Sequence, residues 1–253
     1  VTELLHWLID KTPFFSAIVA FFVLNVAMFV GGSLVGEWIY RRFPRARLQP
    51  QRAPRAAARE WSIGALTLAL NMLVTIAGLW LYRAGYLRLT FHGGWRALVD
   101  AALFLLLMDA AMYVLHRIAH WRRFYAVHRM HHDYPTPSAL SLFVLHPLET
   151  LGFGSLWIAL VFVYPFSAWS VVAYTGFNLV YGLIGHLGVE LFPRGWVASP
   201  LGVLTTTTFH DQHHSAPGHN FGFYTTLWDR LFGTLHPDYQ RAFEETAARR
   251  AES

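Results

Sequence analysis

Five apolar runs constrain this chain more than any other feature of its sequence. The first, Phe14 to about Tyr40, exceeds the roughly 20 residues that a helix needs to cross a bilayer. Ser62 to Tyr82 and about Trp95 to Leu115 are runs of similar kind. Leu140 to Phe166 is broken by Pro147, Gly152, Gly154 and Pro165, and Ala168 to Leu187 follows after a short turn. These last two read as a hairpin, one descending and one returning. Lipid offers no hydrogen bonds to a backbone, so open runs of this length must be helical. The expected fold is an all-α membrane protein with about four transmembrane helices and a helical cap. Only 14% of the residues are charged and 55% are hydrophobic, whereas a soluble domain carries about 25% charged residues. Gly31, Gly32 and Gly36, late in the first run, would let another helix approach closely.

Charge then orients the spans. Of the 20 basic residues 19 are arginine, and seven of these lie between Arg41 and Arg59. A net charge of +5 can signal a nucleic-acid partner, but a short basic loop between apolar spans is a topology determinant beside anionic lipid heads. No nucleic acid is expected. If loop 41–60 is cytoplasmic, the later crossings put 116–136 and everything after about residue 188 on that side. Only Lys11, Arg83, Arg88 and Arg96 then fall opposite, in agreement with the positive-inside rule. The preference for arginine over lysine points to a bacterial inner membrane. Lys11 alone precedes the first run, which lacks an A-x-A site, so it reads as a retained span rather than a cleaved leader. Cysteine is absent, which excludes disulfides, thiolate metal sites and Cys-held iron–sulfur clusters. The expected organisation is one integral-membrane catalytic domain over 1–253. Its N-terminal spans and basic loop take 1–100, the core 101–236 and a polar tail 237–253.

Most of the 14 histidines are patterned. His116 and His120 are four apart, His128, His131 and His132 follow at three and four, and His210, His213 and His214 repeat that spacing. Each set falls on one helical face. A lone histidine beside a membrane is usually an interfacial or core residue, but three such patterns, each at a membrane exit, are not scatter. Imidazole is the commonest side-chain metal ligand, and these eight exceed the four that one tetrahedral zinc takes. A histidine-rich di-metal site fits the count. Asp109, Tyr113, His116 and His120 recur as one helical stripe. Asp109 is costly in lipid unless paired. It reads either as accepting an N–H from His116 or another ligand, fixing the tautomer, or as an ion-pair partner of a nearby arginine. Asp211 and Asp229 invite the first reading with less force, since each lies in a polar region where a solvated carboxylate is cheap. Glu149 stands about one turn after His146, which either ligates or only orients a ligand. His219, in the loop PGHN, suits a structural or substrate-side role. His6, His92 and His236 have no partners in spacing.

From about Asp109 to Thr234 this pattern resembles the fatty acid hydroxylase/sterol desaturase superfamily. The resemblance is carried by DAAMYVLHRIAH before the first histidine pair ends, HPLE at 146–149, and HHSAPGHNFGFYTTLWDRLFGT at 213–234. It implies an integral-membrane, non-haem di-iron enzyme that uses O₂ as co-substrate and oxidises a membrane lipid. Two iron ions are the implied cofactors, with zinc a substitute in purified protein. It also implies His186, in GHLG, as a ninth ligand. Some relatives carry a further histidine four residues earlier, where this chain has Gly182, leaving the second metal one ligand poorer or completed by water. Hydroxylation is the leading reaction, with desaturation or alkyl-ether oxidation from the same centre as alternatives. No cytochrome b5-like domain or flavin or NAD fingerprint is visible in the chain, so an external electron donor is implied: a ferredoxin, a cytochrome b5-like protein or a reductase. The rival readings are a membrane metal-binding protein or transporter, whose sites usually sit near the bilayer midplane on broken helices, and a di-zinc hydrolase, for which no HExxH is present.

Overall fold

The computed structural model describes residues 2–49 and 57–251. Arg52 and Arg55 of the basic loop and the last two residues of the polar tail lie outside the described residues. Ten α-helices account for most of it: α1 Thr2–His6, α2 Phe14–Arg42, α3 Ala57–Arg83, α4 Gly94–Ala119, α5 Tyr125–His132, α6 Pro147–Val163, α7 Ala168–His186, α8 Thr207–Ser215, α9 Leu227–Leu231 and α10 Tyr239–Ala251. Among the described residues there is no strand, only isolated bridges such as Arg47 with Val189.

Helices α2, α3 and α4 are long and apolar enough to cross a membrane. The expected hairpin is α6 and α7, of 17 and 19 residues. At 1.5 Å per residue α6 reaches only about 25 Å. Phe15, Phe22 and Trp38 on α2, with Leu98, Val99 and Leu103 on α4, are exposed. Water would not tolerate so continuous an apolar surface, and lipid accommodates it.

Glycines set how the bundle closes. Gly32 of α2 meets Leu179 and Leu183 of α7, and Gly36 meets Leu187 and Ala139, so α2 and α7 run the same way. Gly154 of α6 faces Asn71 and Val74 of α3, while Gly78 faces Trp157. Therefore α3 and α6 run together, opposite to α2. Gly31 has no neighbour close enough to meet a Cβ and takes no part in the contact expected of it. Phe104, Met108, Met112, Phe166 and Tyr174 form the core between α4, α6 and α7. One end of the bundle is tied by Asp100, whose Oδ2 accepts the Ser167 backbone N–H at 2.8 Å where Ser167 caps α7.

The other end carries the histidines beneath a cap. Residues 43–49, at the start of the basic loop, run over it, with Leu48 N–H donating to Gly188 O at 3.1 Å and Glu190 N–H to Ala46 O at 2.8 Å. Within the segment read from charge as a polar tail, Tyr239–Ala251 form α10, which buries Tyr239, Phe243 and Ala247 against Val197 and Phe209. A spacing of four residues puts these three on one face, which the surrounding charges mask at the level of composition.

Gly36→Val should lower the thermal midpoint of the detergent-solubilised protein, by about 1–3 kcal/mol of stability if the contact with Ala139 is overpacked. Gly31→Val should leave the midpoint where it is.

Candidate metal centre

The histidines are brought together by the ends of four helices. Helix α4 delivers His116 and, at its C-cap, His120. Helix α5 delivers His128, His131 and His132; α7 ends on His186; α8 carries His210, His213 and His214. Helix α8 starts where it does because Thr206 caps it and the fully buried Glu190 accepts from both Thr208 N–H (2.9 Å) and Thr208 Oγ1 (2.7 Å). A carboxylate at a helix N-terminus also faces the positive end of its dipole.

The nine rings sort into two groups. His116, His120, His128, His132 and His213 form one, and His131, His186, His210 and His214 the other, with ligand atoms inside each group all within 4.8 Å of one another. In the first, Nε2 atoms face Nε2 atoms: His116 to His128 at 3.0 Å, His128 to His132 at 3.0 Å, and His132 to His213 at 3.2 Å. In the second, His186 Nε2 lies 3.4 Å from His131 and 3.2 Å from His210, which is 3.1 Å from His214.

The far side of four of the rings carries a hydrogen bond that sets the tautomer, whereas Nδ1 of His131, His132 and His214 is buried without a partner among the described residues. His116 Nδ1 donates to Phe221 O at 2.8 Å, His213 Nδ1 to His219 O at 2.6 Å, and His186 Nδ1 to Gly182 O at 2.8 Å. His128 Nδ1 donates to the Glu149 carboxylate at 2.6 Å. A neutral imidazole has one N–H. Where His116 and His128 both spend theirs on Nδ1, their Nε2 atoms present two lone pairs to each other at 3.0 Å. That arrangement is repulsive unless a cation lies between them. The donor set therefore fits a metal, and protonation does not compete for it. Burial first, then the neighbouring His132, lowers His120 to about 3. Burial, then His132 and His120, lowers His128 to about 2. Burial also holds His131, His210, His213 and His214 well below the usual imidazole range. All remain in the neutral form that binds metal.

With that geometry in view, the family profile described as "Fatty acid hydroxylase" matches residues 101–234. The chain belongs to the fatty acid hydroxylase family. Methylsterol monooxygenase 1 of Danio rerio is 33% identical over 130 residues, covering 50% of this chain and 43% of that protein. The C-4 methylsterol oxidase erg25 of Schizosaccharomyces pombe is 27% identical over 220 residues, 82% of this chain and 72% of its own length. A Delta(7)-sterol 5(6)-desaturase of Leptosphaeria maculans is 26% identical over 153 residues, 60% and 41%. The chain thus spans less than half the length of two of these relatives. No solved structure matches it significantly. The named relatives are eukaryotic and lend no support to a bacterial inner membrane.

The neighbours expected around the histidines take distinct places. Glu149 stands against a ring, as described. Asp109 does not reach His116: seven residues of helix separate them by about 10 Å along the axis. It accepts instead from Tyr224 N–H (3.0 Å), Thr225 Oγ1 (2.5 Å) and Trp228 Nε1 (3.0 Å), and no arginine pairs with it in the ion pairs of the described residues. Tyr113 Oη lies 3.0 Å from Thr234 Oγ1 and its ring stacks on Phe232. Asp211 is held by Gln49 of the basic loop at 3.3 Å, away from the ring nitrogens. His146 caps α6 by accepting from Leu148 N–H and is not in either group. His219 contributes its carbonyl, while its ring packs edge-on to His236.

Asp229 is the residue that spacing undervalues. It is fully buried rather than solvated, and accepts from Phe221 N–H at 2.8 Å, Gly222 N–H at 2.7 Å and Thr234 Oγ1 at 2.7 Å. Phe221 in turn offers the carbonyl that fixes His116. A backbone link of this kind leaves no trace in residue spacing, and neither does the capping carboxylate of Glu190.

Asp109→Ala would strand one buried donor, Tyr224 N–H, and two part-buried ones, on Thr225 and Trp228, at about 1–3 kcal/mol each. Chemical unfolding in detergent should therefore show a loss of at least about 3 kcal/mol, against little change for His146→Ala.

Proposed function

We propose that this chain is an O₂-dependent, di-iron lipid hydroxylase that inserts oxygen into a C–H bond of a membrane lipid of sterol or fatty acyl type. The observation that carries this reading is the pair of imidazole groups, five and four, with lone pairs turned inward at the end of an apolar cavity. His116, His120, His128, His132 and His213 would hold one iron, and His131, His186, His210 and His214 the other. Bound iron supplies O₂ activation and oxidation of an unactivated C–H bond, chemistry that no amino-acid side chain performs. The chain's own part is positional. Carbonyls of Phe221, Gly182 and His219 and the carboxylate of Glu149 hold ring planes and tautomers. Met112, Phe153 and Leu179 line the cavity of about 290 Å³ that runs from the histidines between the helices, excluding water and admitting a lipid.

Names of the relatives support oxidation of a sterol-like lipid, and they divide between monooxygenase and desaturase. Both outcomes need the same centre and differ in where the carbon sits. Zinc fits an all-imidazole set as readily as iron does, so metal identity is part of the test. The histidines lie at helix ends, where a transporter's midplane site would not. Electrons are supplied by a separate donor, such as a ferredoxin, a cytochrome b5-like protein or a reductase. The arginine distribution argues that the histidine end, with the basic loop above it, faces the cytoplasm.

Lipid mass spectrometry of cells with and without the gene should show a lipid gaining one oxygen, and the purified protein should contain iron. His128→Ala and His213→Ala should lose metal and lipid oxidation while remaining folded; full activity in either sinks the reading. Glu149→Gln should weaken metal affinity by on the order of 10- to 100-fold in a chelator competition, and His219→Ala, which keeps its carbonyl, should not.

A further inference from the structure

The cavity wall opposite the histidines contains polar groups that the bundle does not use. Most polar side chains lining the cavity satisfy themselves locally. Thr75 donates to Asn71 O, Thr175 to Val171 O, Asn25 to Phe21 O, and Asn178 accepts from Tyr224 Oη. Thr67 departs from this habit. It is 2% exposed and lines the cavity, yet its hydroxyl has no hydrogen-bond partner, not even the carbonyl one turn back that threonines in helices commonly take. One turn further along α3, Asn71 also lines the cavity, and its side-chain amide donates to none of the described residues. An unused hydroxyl at the depth of Thr67 in an apolar helix is costly, and a bundle that needed only packing would place Val there.

Their depth can be read from the neighbouring helix. Asn71 Oδ1 lies 3.5 Å from where a Cβ on Gly154 would stand, and Gly154 follows Glu149 by five residues, about 7.5 Å of helix. Because α3 and α6 run the same way, Thr67 lies about 6 Å nearer the histidine end than Asn71, almost level with Glu149. A lipid reaching the histidines would thus pass both groups within its last few carbon atoms.

We infer that Thr67 and Asn71 form a polar subsite that binds an oxygen function, a hydroxyl or carbonyl, carried by the lipid close to the carbon that is oxidised. Within the lipid class proposed above, the subsite then selects a molecule entering by its oxygenated end, and not the middle of a plain hydrocarbon chain. Thr67 offers one donor and acceptor, and Asn71 an amide that does both. This rests on the lipid-oxidising reading for its consequence, but binding can be measured without turnover.

The experiment measures equilibrium binding of cholesterol against cholestane, and of hexadecan-1-ol against hexadecane, to the purified full chain in detergent. Wild type should prefer the oxygenated member of at least one pair, and which pair distinguishes a sterol from a straight-chain source. Thr67→Val and Asn71→Leu, which keep volume, should each cut that preference roughly three- to tenfold, while Thr67→Ser should retain it. Midpoint and metal content of Thr67→Val should match or exceed wild type, since the hydroxyl it removes stabilises nothing in the free protein. A wild type with no preference, or a Thr67→Val and Asn71→Leu preference equal to wild type, overturns the subsite. If lipids are oxidised but the preference ignores both residues, the subsite alone fails. If the preference depends on them and no lipid is oxidised, the subsite stands and the catalytic reading fails.

Discussion

The structure leans on one interaction found at four of the nine rings: an imidazole Nδ1–H given to an oxygen behind it, leaving Nε2 bare in front. A flexible histidine can turn either nitrogen toward a metal or swing away. A ring whose Nδ1–H is held at 2.6 to 2.8 Å by Phe221 O, His219 O, Gly182 O or Glu149 has neither freedom. Three of those four acceptors are main-chain carbonyls, so the orientation of the rings is a property of the backbone path. That explains why so much of the cap is devoted to holding loops. Asp229 gathers Phe221, Gly222 and Thr234, and Asp109 gathers Tyr224, Thr225 and Trp228. Two carboxylates thereby fix the loop 221–234 whose carbonyl positions His116.

Such an arrangement suits a cation. The lone pairs of His116 and His128 meet at 3.0 Å, and burial removes the option of relieving the conflict by protonation, which in water would cost little. Folding energy from the apolar bundle and the two carboxylate hubs must hold the rings in place beforehand. The benefit is a donor set already arranged when metal arrives, in the neutral form it requires.

Much of this is legible in the sequence, for reasons that differ by element. The three long spans and the hairpin follow from apolar runs, because lipid leaves a chain no alternative to helix. Eight of the nine histidines could be picked out by helical spacing, since i, i+3 and i+4 positions must share a face; His186 has no such partner and rested on family likeness. Glu149 could be placed near the site from its position one turn into α6. Asp109 was legible as a carboxylate needing partners in lipid, but its partners come from residues 224–228, more than a hundred positions away. No local pattern encodes that closure. The same holds for Glu190, whose role as a cap on α8 appears only when the loop folds back. Helix α10 was hidden for another reason: its buried face is three residues in a segment otherwise charged.

The division of the rings into five and four has a local cause that bears on selectivity. Position 182, one turn before His186, is glycine, and the space a side chain would take there is filled by Leu142, whose Cδ1 lies 2.9 Å from the missing Cβ. The Gly182 carbonyl meanwhile anchors His186. A larger residue at 182 would have to displace Leu142 from the cavity wall, so the poorer donor set and the apolar lining are one packing decision. The same cavity carries Thr67 and Asn71 on its opposite wall. One side of a lipid entering the cavity would therefore meet hydrocarbon beside the four-histidine group, and the other would meet hydrogen-bonding groups. A lipid with an oxygen on one face and carbon on the other would be oriented by that contrast before any chemistry begins.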